Sequence, residues 1–208
     1  MLKAQRSKSE IQGRIIGLTG PIGAGKDAVG RILQRRGAFI INADRLAHQL
    51  YAPQSPLWHE LVRTFGSKIL MRGGRINRKK LGAIVFSDKK ELNKLNALVH
   101  PRLRDEIRKI IESRKQSAEH RTQTIVVNAA VLKEIGLIPL VDEVWLVTAP
   151  KDIRLKRLIK SGLTAPAAAR RMKAQVSPKE YLKMADIVIK NDGTLRQLSG
   201  KIQACLKF

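Results

Sequence analysis

The chain has 208 residues, 43% of them hydrophobic, enough for one domain with an insertion and a sizeable core. No apolar run approaches the roughly 18 residues that span a bilayer, and Met1 to Glu10 lacks the apolar centre of a signal peptide, so a cytoplasmic protein with no membrane partner is expected. Cys205 is the only cysteine, which excludes an intrachain disulfide and a cysteine-based metal cluster, while 41 Lys and Arg against 17 Asp and Glu give a formal charge of +24 that attracts polyanions.

Residues 1–12 are polar and basic and read as a flexible extension. From Arg14 to Asp27 a short apolar run enters a glycine-punctuated turn that ends in lysine. The spacing Gly20-x-x-x-x-Gly25-Lys26 is that of a P-loop, whose backbone N–H groups curl around phosphate oxygens while the lysine reaches the β- and γ-phosphates. Gly20, Gly23 and Gly25 remove Cβ atoms where the chain turns and approaches its ligand. Helical spacing from Ala28 to Leu33 aims a helix N-terminus at the bound phosphates. Asp27 stands where a hydroxyl residue is expected. Its carboxylate is a hard-oxygen ligand for Mg²⁺ and also a negative charge beside the phosphates.

Gly37 stops the helix, and a second apolar run, Ala38 to Ile41, leads to Asn42-Ala43-Asp44. Strand, helix and strand make a βαβ unit with parallel strands, so Asp44 falls on the carboxyl edge that holds the P-loop. There it would take a proton from an attacking hydroxyl, hold Mg²⁺ through water, or simply cap the following helix; the sequence leaves all three open.

Residues 51–117 show helical patterns with basic faces and are expected to form an insertion between the second and third strands. Asn77 is the expected cap of one helix and Ser87 or Asp88 of the next. His100-Pro101 is expected to interrupt the pattern and hold His100 extended. Arg78, Lys79, Lys80, His100, Arg102 and Arg104 are candidates to grip an anionic substrate. Sheet resumes at Gln123 to Asn128, and further strands are expected at Val144 to Pro150 and Ala185 to Asn191, with a last helix from about Thr194. Between them, residues 152–183 are helical and carry Arg154, Arg157, Lys160, Arg170, Arg171 and Lys173, the composition of a lid that covers a transferring phosphate. The nucleotide-binding core is thus expected over 13–50 and 118–208. Basic residues run from Lys3 to Lys207 without gathering in one tail, and aromatics for base stacking are few. A surface that partly serves a phosphorylated substrate is therefore favoured over a nucleic-acid partner.

Four segments together resemble the dephospho-CoA kinase family: Leu18 to Lys26, Ile41-Asn42-Ala43-Asp44 with His48 beyond it, Leu98-Val99-His100-Pro101, and Ala185 to Asn191. The resemblance covers nearly all of the chain after residue 12. It implies an α/β fold of the P-loop nucleoside-triphosphate hydrolase type, in three layers with a parallel sheet, a helical substrate-binding insertion and a helical lid. It further implies phosphorylation of the ribose 3′-hydroxyl of dephospho-CoA, with ATP as co-substrate and Mg²⁺.

Residue by residue, Gly20, Gly23, Ala24, Gly25, Lys26, Asp27 and Ala28 are expected on the ATP phosphates, with Arg157 in the lid and Asn191 near the adenine. Asp44 is expected as base, and Thr19, His48, Arg78, His100, Arg102 and Asn128 on the substrate. Asp27 replaces the family's Ser or Thr, Asn42 replaces the first of two aspartates, and Asn128 to Leu132 departs from the usual Pro-Leu-Leu-Phe-Glu. Metal ligation is expected from Asp27 and, through water, from Asp44. The other readings are a different small-molecule or nucleoside P-loop kinase, or a non-catalytic nucleic-acid-binding relative. A monomer or weak homo-oligomer is expected.

Overall fold

The computed structural model describes residues 13–120 and 122–206, so the extension expected over residues 1–12 lies outside the described residues. Five strands, β1 (Ile15–Thr19), β2 (Phe39–Asn42), β3 (Ile125–Asn128), β4 (Glu143–Thr148) and β5 (Ile187–Lys190), form one sheet in the order β2-β3-β1-β4-β5. Every pairing is parallel. β1 and β3 are buried along their whole length, as the unbroken apolar runs anticipate for strands covered on both faces.

Alternate side chains feed two cores. Ile15, Ile41, Ile125, Val127 and Val144 face one side, and Ile16, Leu18, Val126, Trp145 and Val147 the other. On the second side lie α1 (Lys26–Gln34) and α10 (Leu195–Leu206), which supply Val29, Leu33, Leu198 and Ile202. On the first lie α2 (Ala43–Leu50), the second half of α5 (Lys89–Gln116) and the short α6 (Leu132–Ile135). Helix, sheet and helix are the three layers expected. The segment after β4 carries α7 (Lys151–Lys160), α8 (Ala165–Lys173) and α9 (Pro178–Met184), so the stretch is helical as expected. No helix among the described residues is long and apolar enough to cross a membrane.

Between β2 and β3 run α3 (Pro56–Phe65), α4 (Arg78–Ser87) and α5. Asn77 caps α4, its side chain accepting from the N–H groups of Lys79 and Lys80, and Asp88 caps α5 by accepting from Lys90 N at 2.7 Å. Leu57, Leu61, Phe65, Leu81, Val85 and Val99 build a separate apolar cluster in this insertion. Yet Leu103, Ile107 and Ile111, farther along α5, belong to the core of the sheet. One helix therefore serves both bodies, each such buried side chain contributing ~1.5–3 kcal/mol.

Here the structure corrects the sequence reading. Pro101 does not break the helix, and α5 is continuous for 28 residues, so His100 is helical rather than extended. Proline removes one N–H and crowds the preceding turn. The Arg102 guanidinium donates to Leu98 O at 3.0 Å in that turn, and apolar packing on both sides of the proline holds the two halves in line.

Candidate active site

The loop after β1 is held from below by side chains remote in sequence. Asn191, buried at the end of β5, donates from Nδ2 to Ala24 O at 2.7 Å. Arg157 of α7 donates to Gly23 O, to Ala24 O at 3.2 Å and to Asn191 O at 3.0 Å. Arg154 Nε donates to Ile22 O at 2.8 Å, and Gln175 Oε1 accepts from Ile22 N at 2.8 Å. These bonds satisfy the carbonyls of Ile22, Gly23 and Ala24 and tie down Ile22 N, which fixes the turn whose remaining N–H groups can face an anion. Gly20 and Gly25 have positive φ, and a Cβ on either would overlap Val147 O or the Asn191 amide.

Lys26 opens α1, and its Nζ donates to Gly20 O at 3.1 Å, spanning the mouth of the loop. Burial lowers its pKa, while the charges of Asp27 and Asp44 oppose that shift. Asp44 is therefore within electrostatic reach of Lys26. It is exposed in the first turn of α2. It does not cap that helix: Asn42 does, accepting from Arg45 N at 2.9 Å, which leaves the Asp44 carboxylate for other work.

One turn along, His48 faces Arg78 of the insertion at 2.9 Å between Nδ1 and the guanidinium. Burial first, and then Arg78, push the imidazole pKa down, so His48 is neutral at neutral pH and accepts from the arginine. Tyr51 packs edge-on against His48 with ring centroids 5.8 Å apart, and burial raises its hydroxyl pKa. The charge of Asp44 acts on His48 and on Tyr51 as well as on Lys26, so the carboxylate lies within electrostatic reach of the P-loop lysine and of His48, one turn along the same helix.

The carboxyl edge is completed by Asn128, whose Nδ2 donates to Asp27 Oδ1 at 3.0 Å. A cavity of about 660 Å³ runs along the loop, lined by Lys26, Asp27, Ala28, Arg31, Arg157 and Asn191. A second cavity of about 560 Å³ opens beside Gly37, Ala38 and Thr124, at the amino ends of β2 and β3, away from these groups. Among the described residues no group of three or more Asp, Glu, His or Cys side chains is placed to hold a metal ion.

Other expected site residues are placed differently. Thr19, expected on the substrate, is fully buried at the end of β1 with its hydroxyl directed at Ala130 O. Arg102 is committed to Glu60 within the insertion. His100 Nδ1 meets Glu134 O at 3.0 Å, which ties α5 to α6. Arg157 and Arg154 hold the loop instead of standing free above it. Gln175, Tyr51 and Glu60 join the site or its frame without any signal in the sequence.

The dephospho-CoA kinase family profile matches residues 14–197. The chain belongs to the dephospho-CoA kinase family. It is 40% identical over 194 residues to the dephospho-CoA kinase of Carboxydothermus hydrogenoformans, with 93% of each chain covered. Its fold is similar to the crystal structure of TT1252 from Thermus thermophilus, with a TM-score of 0.77, 32% identity and coverage of 94% of this chain and 97% of the other. It is also similar to dephospho-CoA kinase from Campylobacter jejuni, with a TM-score of 0.63 and 27% identity over 93% of this chain and 97% of that one.

Proposed function

We propose that this kinase transfers the γ-phosphoryl group of ATP to the ribose 3′-hydroxyl of dephospho-CoA, giving CoA and ADP, the last step of coenzyme A biosynthesis. The observation that carries the reading is that Asp44, in the first turn of α2, lies within electrostatic reach of Lys26 and one turn before His48, which meets Arg78 of the substrate insertion. ATP lies with its phosphates in the loop from Gly20 to Ala28 and its base toward Arg157 and Asn191, along the cavity that these residues line. Dephospho-CoA enters from the insertion, where His48, Arg78 and Tyr51 form the wall nearest the phosphates.

The reaction forms an O–P bond at the ribose oxygen and breaks the bond between the γ-phosphorus and the β–γ bridging oxygen. Asp44 accepts the hydroxyl proton as the new bond forms, and ADP leaves with the electron pair of the broken bond. Lys26 stays against the β- and γ-oxygens and offsets charge growing on the bridge. Arg157, Arg154 and Asn191 act indirectly by keeping the loop in its phosphate-binding shape.

The donor chemistry fits Mg²⁺. The Asp27 carboxylate is exposed beside the loop, and one or two carboxylates together with substrate phosphates are the usual protein share of such a site. Asp27 would hold the ion directly and Asp44 through water. When bound, Mg²⁺ neutralises the β- and γ-oxygens. Incubation of the purified chain with ATP and dephospho-CoA, followed by mass spectrometry, tests the reading. CoA and ADP in equal amounts are expected, and ADP release with nucleosides or nucleotides but none with dephospho-CoA would overturn it.

A further inference from the structure

We propose that Asn128 is a positioning residue for Asp27, and that the two form a coupled pair that lets a carboxylate do the metal-binding work for which this family's pattern uses a hydroxyl. The proposal rests on the phosphate-site reading above and assigns a role to a side chain that the loop motif does not include. A carboxylate in the first turn of α1 is favoured by the helix terminus. Beside a triphosphate, however, a freely rotating carboxylate would spend part of its time turned toward like charge. The structure removes that freedom. Asn128 is 5% exposed, at the last position of β3, where it pairs in register with both Leu18 and Asn42. From this rigid place its Nδ2 donates to Asp27 Oδ1 at 3.0 Å.

Held by one oxygen, Asp27 has the other for a cation between itself and the phosphates. Only the donor end of the amide can face a carboxylate, and the amide is neutral, so the pair adds one negative charge to the site and not two.

The test is a double-mutant cycle on the full chain, with Mn²⁺ uptake in the presence of a non-hydrolysable ATP analogue read by electron paramagnetic resonance. Asn128→Ala is expected to weaken Mn²⁺ binding about 10-fold or more, the usual effect of losing a group that orients a metal ligand. Analogue binding without metal should stay within about threefold. Asp27→Ala should lose at least as much, and Asn128→Ala on top of it should lose nothing further. Equal losses from Asn128→Ala in both backgrounds, no loss in either, or a wild-type chain that takes up no Mn²⁺ with the analogue would overturn the pair. If Asn128→Ala unfolds, the exposed Asp27→Ala variant carries the test, and undiminished Mn²⁺ binding there overturns the proposal. Dephospho-CoA is absent throughout, so a failure to phosphorylate it counts against the proposed function and not against this pair.

Discussion

At position 44 a single carboxylate sits within electrostatic reach of the Lys26 ammonium and of a neutral imidazole one helical turn along. Asp44→Ala is expected to lower kcat by about 10²–10⁴-fold, the usual weight of a positioned base, while ATP affinity by isothermal titration changes little. Equal turnover would remove Asp44 from the chemistry. Whether Asp44 serves as cap or as reactive group is not legible in the sequence, because Asn42 and Asp44 are both good capping types two residues apart. The backbone decides, since Asn42 is extended and faces Arg45 N. Thr19 is ambiguous for a related reason: a motif letter at a strand's end reads the same whether its side chain points to ligand or to core, and here it is buried. Away from the site, Glu143 sits half-buried in β4, and burial pushes its carboxyl above the usual carboxylate range, helped by the charges of Asp186 and Asp142 and opposed by the Trp145 side chain and by the Arg14 guanidinium 3.9 Å away. A folded-state pKa raised in this way favours folding below the ordinary value and loses that contribution as pH rises through the shifted one. Glu143→Gln should therefore raise Tm by a few degrees at pH 7 and flatten the dependence of Tm on pH between the ordinary and raised values. A fall in Tm at pH 7 would show that the Trp145 and Arg14 contacts outweigh the desolvation.

The elements were legible where one local rule dominated. β1, the loop and α1 follow from an apolar run, three glycines and a lysine at fixed spacing. α4 is announced by Asn77 and α5 by Asp88. α5 was not legible as one helix because Pro101 is a strong local breaker, and only packing on two separate clusters reveals why it is tolerated. The bracing of the loop by α7 and β5 was equally hidden, because arginines at i and i+3 describe a solvated face as well as a pair of carbonyl clamps. Arg157→Lys tests the brace. A single ammonium cannot reproduce a planar fork that reaches Gly23 O, Ala24 O and Asn191 O. ATP affinity should fall about tenfold, roughly 1.4 kcal/mol, with the helix content of the free protein unchanged. Unaltered affinity would mean that the loop keeps its shape without the guanidinium.

Over the whole molecule, a formal charge of +24 sets a background against which every local cation works. Such an excess repels itself in the compact state, and salt shortens its range to a Debye length of about 10 Å at 0.1 M. Thermal melts are expected to shift upward between about 20 and 300 mM NaCl, most of the gain coming by the point where that length has fallen below a helix diameter. A flat or falling curve would show that the many small i,i+3 pairs such as Lys94–Glu91 and Lys183–Glu180 already balance the surface. α5 has a different large-scale effect. Because Ile107 and Ile111 roof the sheet while Val99 anchors the insertion, excising residues 51–117 at their apparent loops would strip one face of the nucleotide-binding body. Chimaeras that exchange acceptor specificity between relatives must therefore leave the distal turns of this beam in place and splice upstream of Leu103, inside a helix, where domain-shuffling would ordinarily never cut.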